Sequence, residues 1–133
     1  DDVTAQVAAC FALWERLMDG RGGPLLAWTE ELLKGKEKSE VARRLAVWLT
    51  TFGLWLRDLM LLAWGCDRQQ LTFVEVGERL GGVPLRDRRF FESAVARLAA
   101  AHEGLAANGQ PRLVIGTLLL GLQDDLARCA GSR

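Results

Sequence analysis

The sequence predicts an all-α protein: a compact bundle of five to six helices with one long central helix. Three observations lead there. Glycine and proline fall in clusters that divide the 133-residue chain into segments rich in Leu, Ala, Arg and Glu, all good helix formers. Within the segments, apolar residues recur at three- and four-residue spacing, as on a helix with one buried face. One stretch, from about Glu37 to Trp64, contains no proline and is apolar on most sides. At ~1.5 Å per residue it spans roughly 40 Å, and such a helix belongs in the middle, covered by neighbours.

Composition bounds the class. Hydrophobic residues make up 50% and charged residues 26%, a globular balance, and the length suits one domain with a real core. Residues 1–133 therefore read as a single helical domain. The formal net charge is zero, which argues against a chain that binds nucleic acid on its own through a basic patch. Cys10, Cys66 and Cys129 lie far apart with no CxxC spacing, which fits reduced thiols in a cytosolic protein.

Taken in order, Val3, Val7, Cys10, Phe11, Trp14, Leu17 and Met18 form one apolar stripe, ended by the glycines from Gly20 to Gly23. A second helix opens at Pro24, whose missing N–H is unneeded in a first turn. It carries Leu25, Trp28 and Leu32 on one side and ends at Gly35. The long helix follows. Val41, Leu45, Trp48, Leu49, Phe52, Leu56 and Leu59 form one stripe, and Val47, Leu54, Trp55, Leu61 and Leu62 another. Residues 71–80 suit a short helix, with Thr72 and Glu75 placed as a capping box. Gly81-Gly82 makes a turn, and a helix from Pro84 to about Ala107 turns Phe91, Ala94, Val95, Leu98 and Leu105 inward. Asn108-Gly109 stops it, since both tolerate positive φ. Pro111 starts a last helix with Leu113, Val114, Leu118, Leu120 and Leu122 as core candidates.

Chemistry is sparse. Arg57 and Asp58 interrupt the apolar run FGLWLRDLMLLAWG. Each charge at membrane depth costs at least ~2.5 kcal/mol, and the remaining helices are amphipathic, so no membrane role is expected. Adjacent on a helix, the two side chains point about 100° apart, and neither has an opposite charge one turn away. Each needs a partner from another helix or another chain, and Arg88, Arg89 and Arg112 are the cations open to Asp58. His102 is the only histidine and lacks the company of a metal or nucleophile site. No phosphate-binding glycine motif occurs. No cofactor and no small-molecule substrate are expected, and the domain reads as non-enzymatic. A second reading is a helix-turn-helix over residues 76–97, presenting Arg86, Arg88 and Arg89 to a DNA major groove.

Two stretches carry a family resemblance. Trp55-Leu56-Arg57-Asp58-Leu59-Met60-Leu61-Leu62 lies near the end of the long helix. Some fifty residues on comes Leu105-Ala106-Ala107-Asn108-Gly109-Gln110-Pro111-Arg112-Leu113, leading into Leu118-Leu119-Leu120-Gly121-Leu122. This order resembles the C-terminal collar domain of the bacterial DNA polymerase III clamp loader, the delta-prime subunit first and gamma/tau second. The likeness covers roughly residues 24–126, with residues 66–83 departing from the pattern. It implies the C-terminal part of a longer ATPase-family subunit, working in the bacterial cytoplasm in DNA replication. Its partners would be the other clamp-loader subunits in the collar ring, with DNA met only indirectly through the complex. It implies structural or assembly roles for Trp55, Arg57, Asp58, Asn108, Pro111, Arg112 and Leu113, and no catalytic residue.

Overall fold

The computed structural model describes residues 2–35, 37–80 and 87–131, with the side chains of 2, 3, 130 and 131 left aside. Among the described residues six α-helices follow in order: α1 (Asp2–Asp19), α2 (Gly22–Leu32), α3 (Lys38–Ala63), α4 (Val74–Leu80), α5 (Arg88–Ala106) and α6 (Pro111–Gly131). A short 3₁₀ turn, Arg68–Gln70, leads from α3 towards α4. The fold is all-α, with no strand among the described residues. The expected turn at Gly81-Gly82, the helix start at Pro84 and the position of Arg86 lie outside the described residues.

α3 is the hub. α1, α4, α5 and α6 all pack on it, while α5 and α6 form a helical hairpin joined by residues 107–110. The predicted stripe Val41, Leu45, Trp48, Leu49, Phe52, Leu56 and Leu59 is buried throughout. Around it the aromatic rings join in one chain, from Trp28 on α2 through Trp48, Phe52 and Trp55 on α3 to Trp14 on α1. The chain continues through Phe90 and Phe91 on α5 and ends at Trp64. Centroid spacings run from 5.0 to 6.5 Å, the range in which offset and edge-on aromatic pairs attract. Phe11 adds an edge-on contact to Trp55 at 5.3 Å.

The α5–α6 turn forms as Asn-Gly chemistry requires. Asn108 takes φ 61°, and the Gly109 N–H donates to the Gly104 carbonyl at 2.8 Å, closing the end of α5. A Cβ at position 109 would come within 2.7 Å of that same oxygen, so only glycine fits.

Three expectations need correction. Thr72 and Glu75 do not frame a capping box: α4 starts at Val74, and the Thr72 N–H that Glu75 would accept is donated to Asp58 instead. The second stripe of α3 is not core: among its members only Trp55 is buried, while Val47 and Leu54 are exposed. Val95, Leu113 and Leu120 also face solvent. α3, α5 and α6 each carry apolar residues beyond the sides that the described helices cover. α3 is also the one described helix long and apolar enough to cross a membrane, by length and composition alone.

Candidate assembly surface

The two charges of the opening run have different fates. Asp58 is fully buried, and its carboxylate accepts the Thr72 N–H at Oδ1 (2.9 Å) and the Phe73 N–H at Oδ2 (2.7 Å). Arg88, Arg89 and Arg112 are therefore not its partners. Backbone donors just ahead of α4 satisfy the charge instead, a capping interaction supplied from a neighbouring helix rather than from the local chain. A carboxylate is well suited to this, because charge-assisted bonds to backbone N–H groups are among the stronger ones. Arg57 lies half in solvent, with Nη1 4.0 Å from Asp58 Oδ1, at the outer limit of an ion pair.

The other marked residues gather elsewhere. Trp55 is core, beside Asp58 on α3. Asn108 and Pro111 shape the turn and the first position of α6. Arg112 bonds Glu30, tying α6 to α2. Leu113 is 70% exposed. The seven residues thus form two groups and do not converge on one pocket.

A buried polar cluster that the sequence did not reveal joins α5 to α6. Asp125, almost fully buried, accepts the Ser93 hydroxyl at 2.6 Å and the Arg97 guanidinium at 2.7 and 3.1 Å, and it also bonds Arg128. Burial pushes this carboxyl up, but the hydrogen bonds from Arg97 and Ser93 outweigh it and hold it below the usual carboxylate range. Asp87 caps α5 through the Arg89 N–H and chelates the Arg89 side chain. That side-chain bond, with the backbone bond second, holds Asp87 at about 2. Arg88 lies over the Trp64 ring at 5.4 Å, and Arg79 over the Phe11 ring at 3.9 Å.

His102 sits half-buried on α5. No group of three or more His, Cys, Asp or Glu able to hold a metal occurs among the described residues. Burial pushes the Cys10 thiol up to about 12, which leaves it without thiolate reactivity.

What the surface does offer is an apolar ridge. On α6, Leu113 and Leu120 (61% exposed) point outward with Thr117, and Gly116 lies between them. Leu26 of α2, 62% exposed, stands across a groove of about 250 Å³ lined also by Leu25, Gly116 and Leu119. Helical spacing marked Leu113 and Leu120 as apolar in the sequence but could not say that no other helix would cover them. Comparison with protein-family models, curated proteins and solved structures finds no match.

Proposed function

We propose that this chain is a non-catalytic oligomerisation domain that assembles a clamp-loader ring, of the delta-prime kind, for loading the sliding clamp in DNA replication. One observation carries the assembly part: Leu26 and Leu120 stand exposed on adjoining helices across a groove, and Leu113 stands exposed seven residues before Leu120 on α6. Contiguous exposed apolar surface of this sort marks docking sites. The clamp-loader part rests on the WLRDLMLL stretch and the NGQPRL turn, whose order resembles the collar. Their placement is compatible with that role. The first supplies the core ring Trp55 and the buried cap Asp58, and the second sets the start of α6, whose outer side forms the ridge. The work assigned to this domain is geometric, to hold neighbours in register while an attached ATPase module changes shape. The alternative, a DNA-binding element at residues 76–97, finds less support, since Arg88 covers Trp64 and Arg89 engages Asp87.

The test is co-purification of the chain with the collar of a gamma/tau subunit from the same cell. Stable capture, reduced by Leu120→Asp, is expected. No capture, together with salt-dependent duplex binding that falls on Arg88→Ala, would transfer support to the alternative.

A further inference from the structure

We propose that the outer seam of α3 docks an acidic amphipathic helix of a partner protein. The seam uses other helices than the α2–α6 ridge, and the proposal does not depend on the clamp-loader reading. Spacing and charge together specify the occupant.

Arg43, Val47, Thr50, Leu54, Arg57, Leu61 and Trp64 follow one another in alternating steps of four and three residues. Leu61 is half-buried and the other six are exposed. From Arg43 to Trp64, every exposed residue except Arg44 lies on this line, and Arg44 is held on the Leu32 and Lys34 carbonyls. A repeat of 3.5 residues is the one along which a second helix packs at a shallow angle. At ~1.5 Å per residue the line runs roughly 32 Å. A solvated helix face is polar, yet Val47, Leu54, Leu61 and Trp64 are apolar. At its C-terminal end the seam opens into a groove of about 360 Å³, where Met60 and Trp64 face Phe91 and the exposed Val95 of α5. A large apolar side chain of an incoming helix fits there, as in other helix-in-groove complexes.

Charge sets the sign of the partner. Between Glu40 and Asp67 the only acidic residue is Asp58, which is buried and bonded to the Thr72 and Phe73 N–H groups. The seam itself therefore carries cations alone. Arg43 makes no hydrogen bond or ion pair among the described residues. Arg57 stands 4.0 Å from Asp58, and Arg88 lies over Trp64 at the groove. Glu92 also lines that groove, one carboxylate against three arginines. Arg43 and Arg57 are two heptads apart, roughly 21 Å along the axis, so partner carboxylates at the same repeat meet both. Such complementarity selects a partner and speeds encounter. An anionic membrane also attracts apolar and cationic side chains, but it takes up a broad apolar face. Here a single line of residues is open.

Fluorescence anisotropy with the whole 133-residue chain tests this. The probe is a labelled peptide of three heptads, with leucine at a and d and glutamate at e and g, whose like charges oppose its pairing with itself. Reversible binding is expected, at least ~tenfold tighter than that of the same peptide with lysine in place of glutamate. Val47→Asp with Leu54→Asp should raise the dissociation constant at least ~tenfold, as for lost anchor residues. Arg43→Glu with Arg57→Glu should remove the preference for the acidic peptide, and both of these side chains are exposed, so this variant reads out binding even where the apolar pair lowers stability. Leu113→Asp with Leu120→Asp should leave peptide binding unchanged. No binding of the acidic peptide overturns the proposal, as does equal affinity for both peptides or a loss caused by the α6 substitutions instead of the α3 ones. Co-sedimentation with phosphatidylserine-containing vesicles, with the peptide unbound, also overturns it and assigns the seam to a lipid surface.

Discussion

Asp58 shows how one residue can hold two elements together. Its carboxylate is fully buried and its two oxygens each take a backbone N–H from the chain entering α4. Asp58→Ala would strand both donors next to the core, and a loss of about 2–4 kcal/mol is expected from chemical unfolding. Asp58→Asn keeps the shape and one acceptor oxygen, so its loss should be clearly smaller. Asp125 is expected to make the fold sensitive to acid. Its native carboxyl titrates below the ~3.9 of an unfolded aspartate, with Arg97 and Ser93 overcoming the opposing effect of burial. The folded state therefore binds fewer protons, and the stability due to Asp125 is complete above ~pH 4 and lost as pH falls. Asp87, held at about 2, acts in the same direction. The melting temperature of Asp125→Asn should lie below that of the unaltered chain at pH 7, and the gap should narrow below ~pH 4. Cys10 makes the opposite case, a buried thiol raised to about 12. Alkylation followed by mass spectrometry should modify the less buried Cys66 and Cys129 first, with Cys10 labelled only on unfolding.

At the scale of the element, α6 sets two glycines in opposite circumstances. Gly116 has open space where a Cβ would go, whereas a Cβ on Gly121 would collide with the Arg97 guanidinium that holds Asp125. Helix propensity favours alanine at both positions. Thermal melts at low protein concentration should nevertheless part them: Gly116→Ala gains about 0.5–1 kcal/mol, and Gly121→Ala loses stability as Arg97 is displaced. A single sequence makes the two glycines look alike, since only the neighbouring helix distinguishes them. α4 was likewise only half legible. Its helical character followed from residues 71–80, but Thr72 and Glu75 suggested a local cap. The cap actually in place comes from Asp58, 14 residues before Thr72, and no local pattern encodes a bond across that separation.

Across the whole molecule, periodicity and punctuation were enough for the architecture. The uninterrupted stretch near residues 37–64 became the hub α3, and Asn108-Gly109 and Pro111 placed the α5–α6 turn. Coverage was not legible. Val47, Leu54, Val95, Leu113 and Leu120 have the spacing of core residues, yet among the described residues no helix covers them and they stand exposed. On the proposed reading that excess of apolar surface serves assembly, and α2 and α6 carry part of it around Leu26, Leu113 and Leu120. The most direct measurement is the affinity of this chain for a gamma/tau collar, taken by titration calorimetry with the unaltered chain and with Leu113→Asp, Leu120→Asp. A specific complex weakened at least ~tenfold by the two ridge substitutions, as expected when interface anchors are lost, is the predicted result. No heat of binding from the unaltered chain, or equal affinity with and without the ridge leucines, would contradict it.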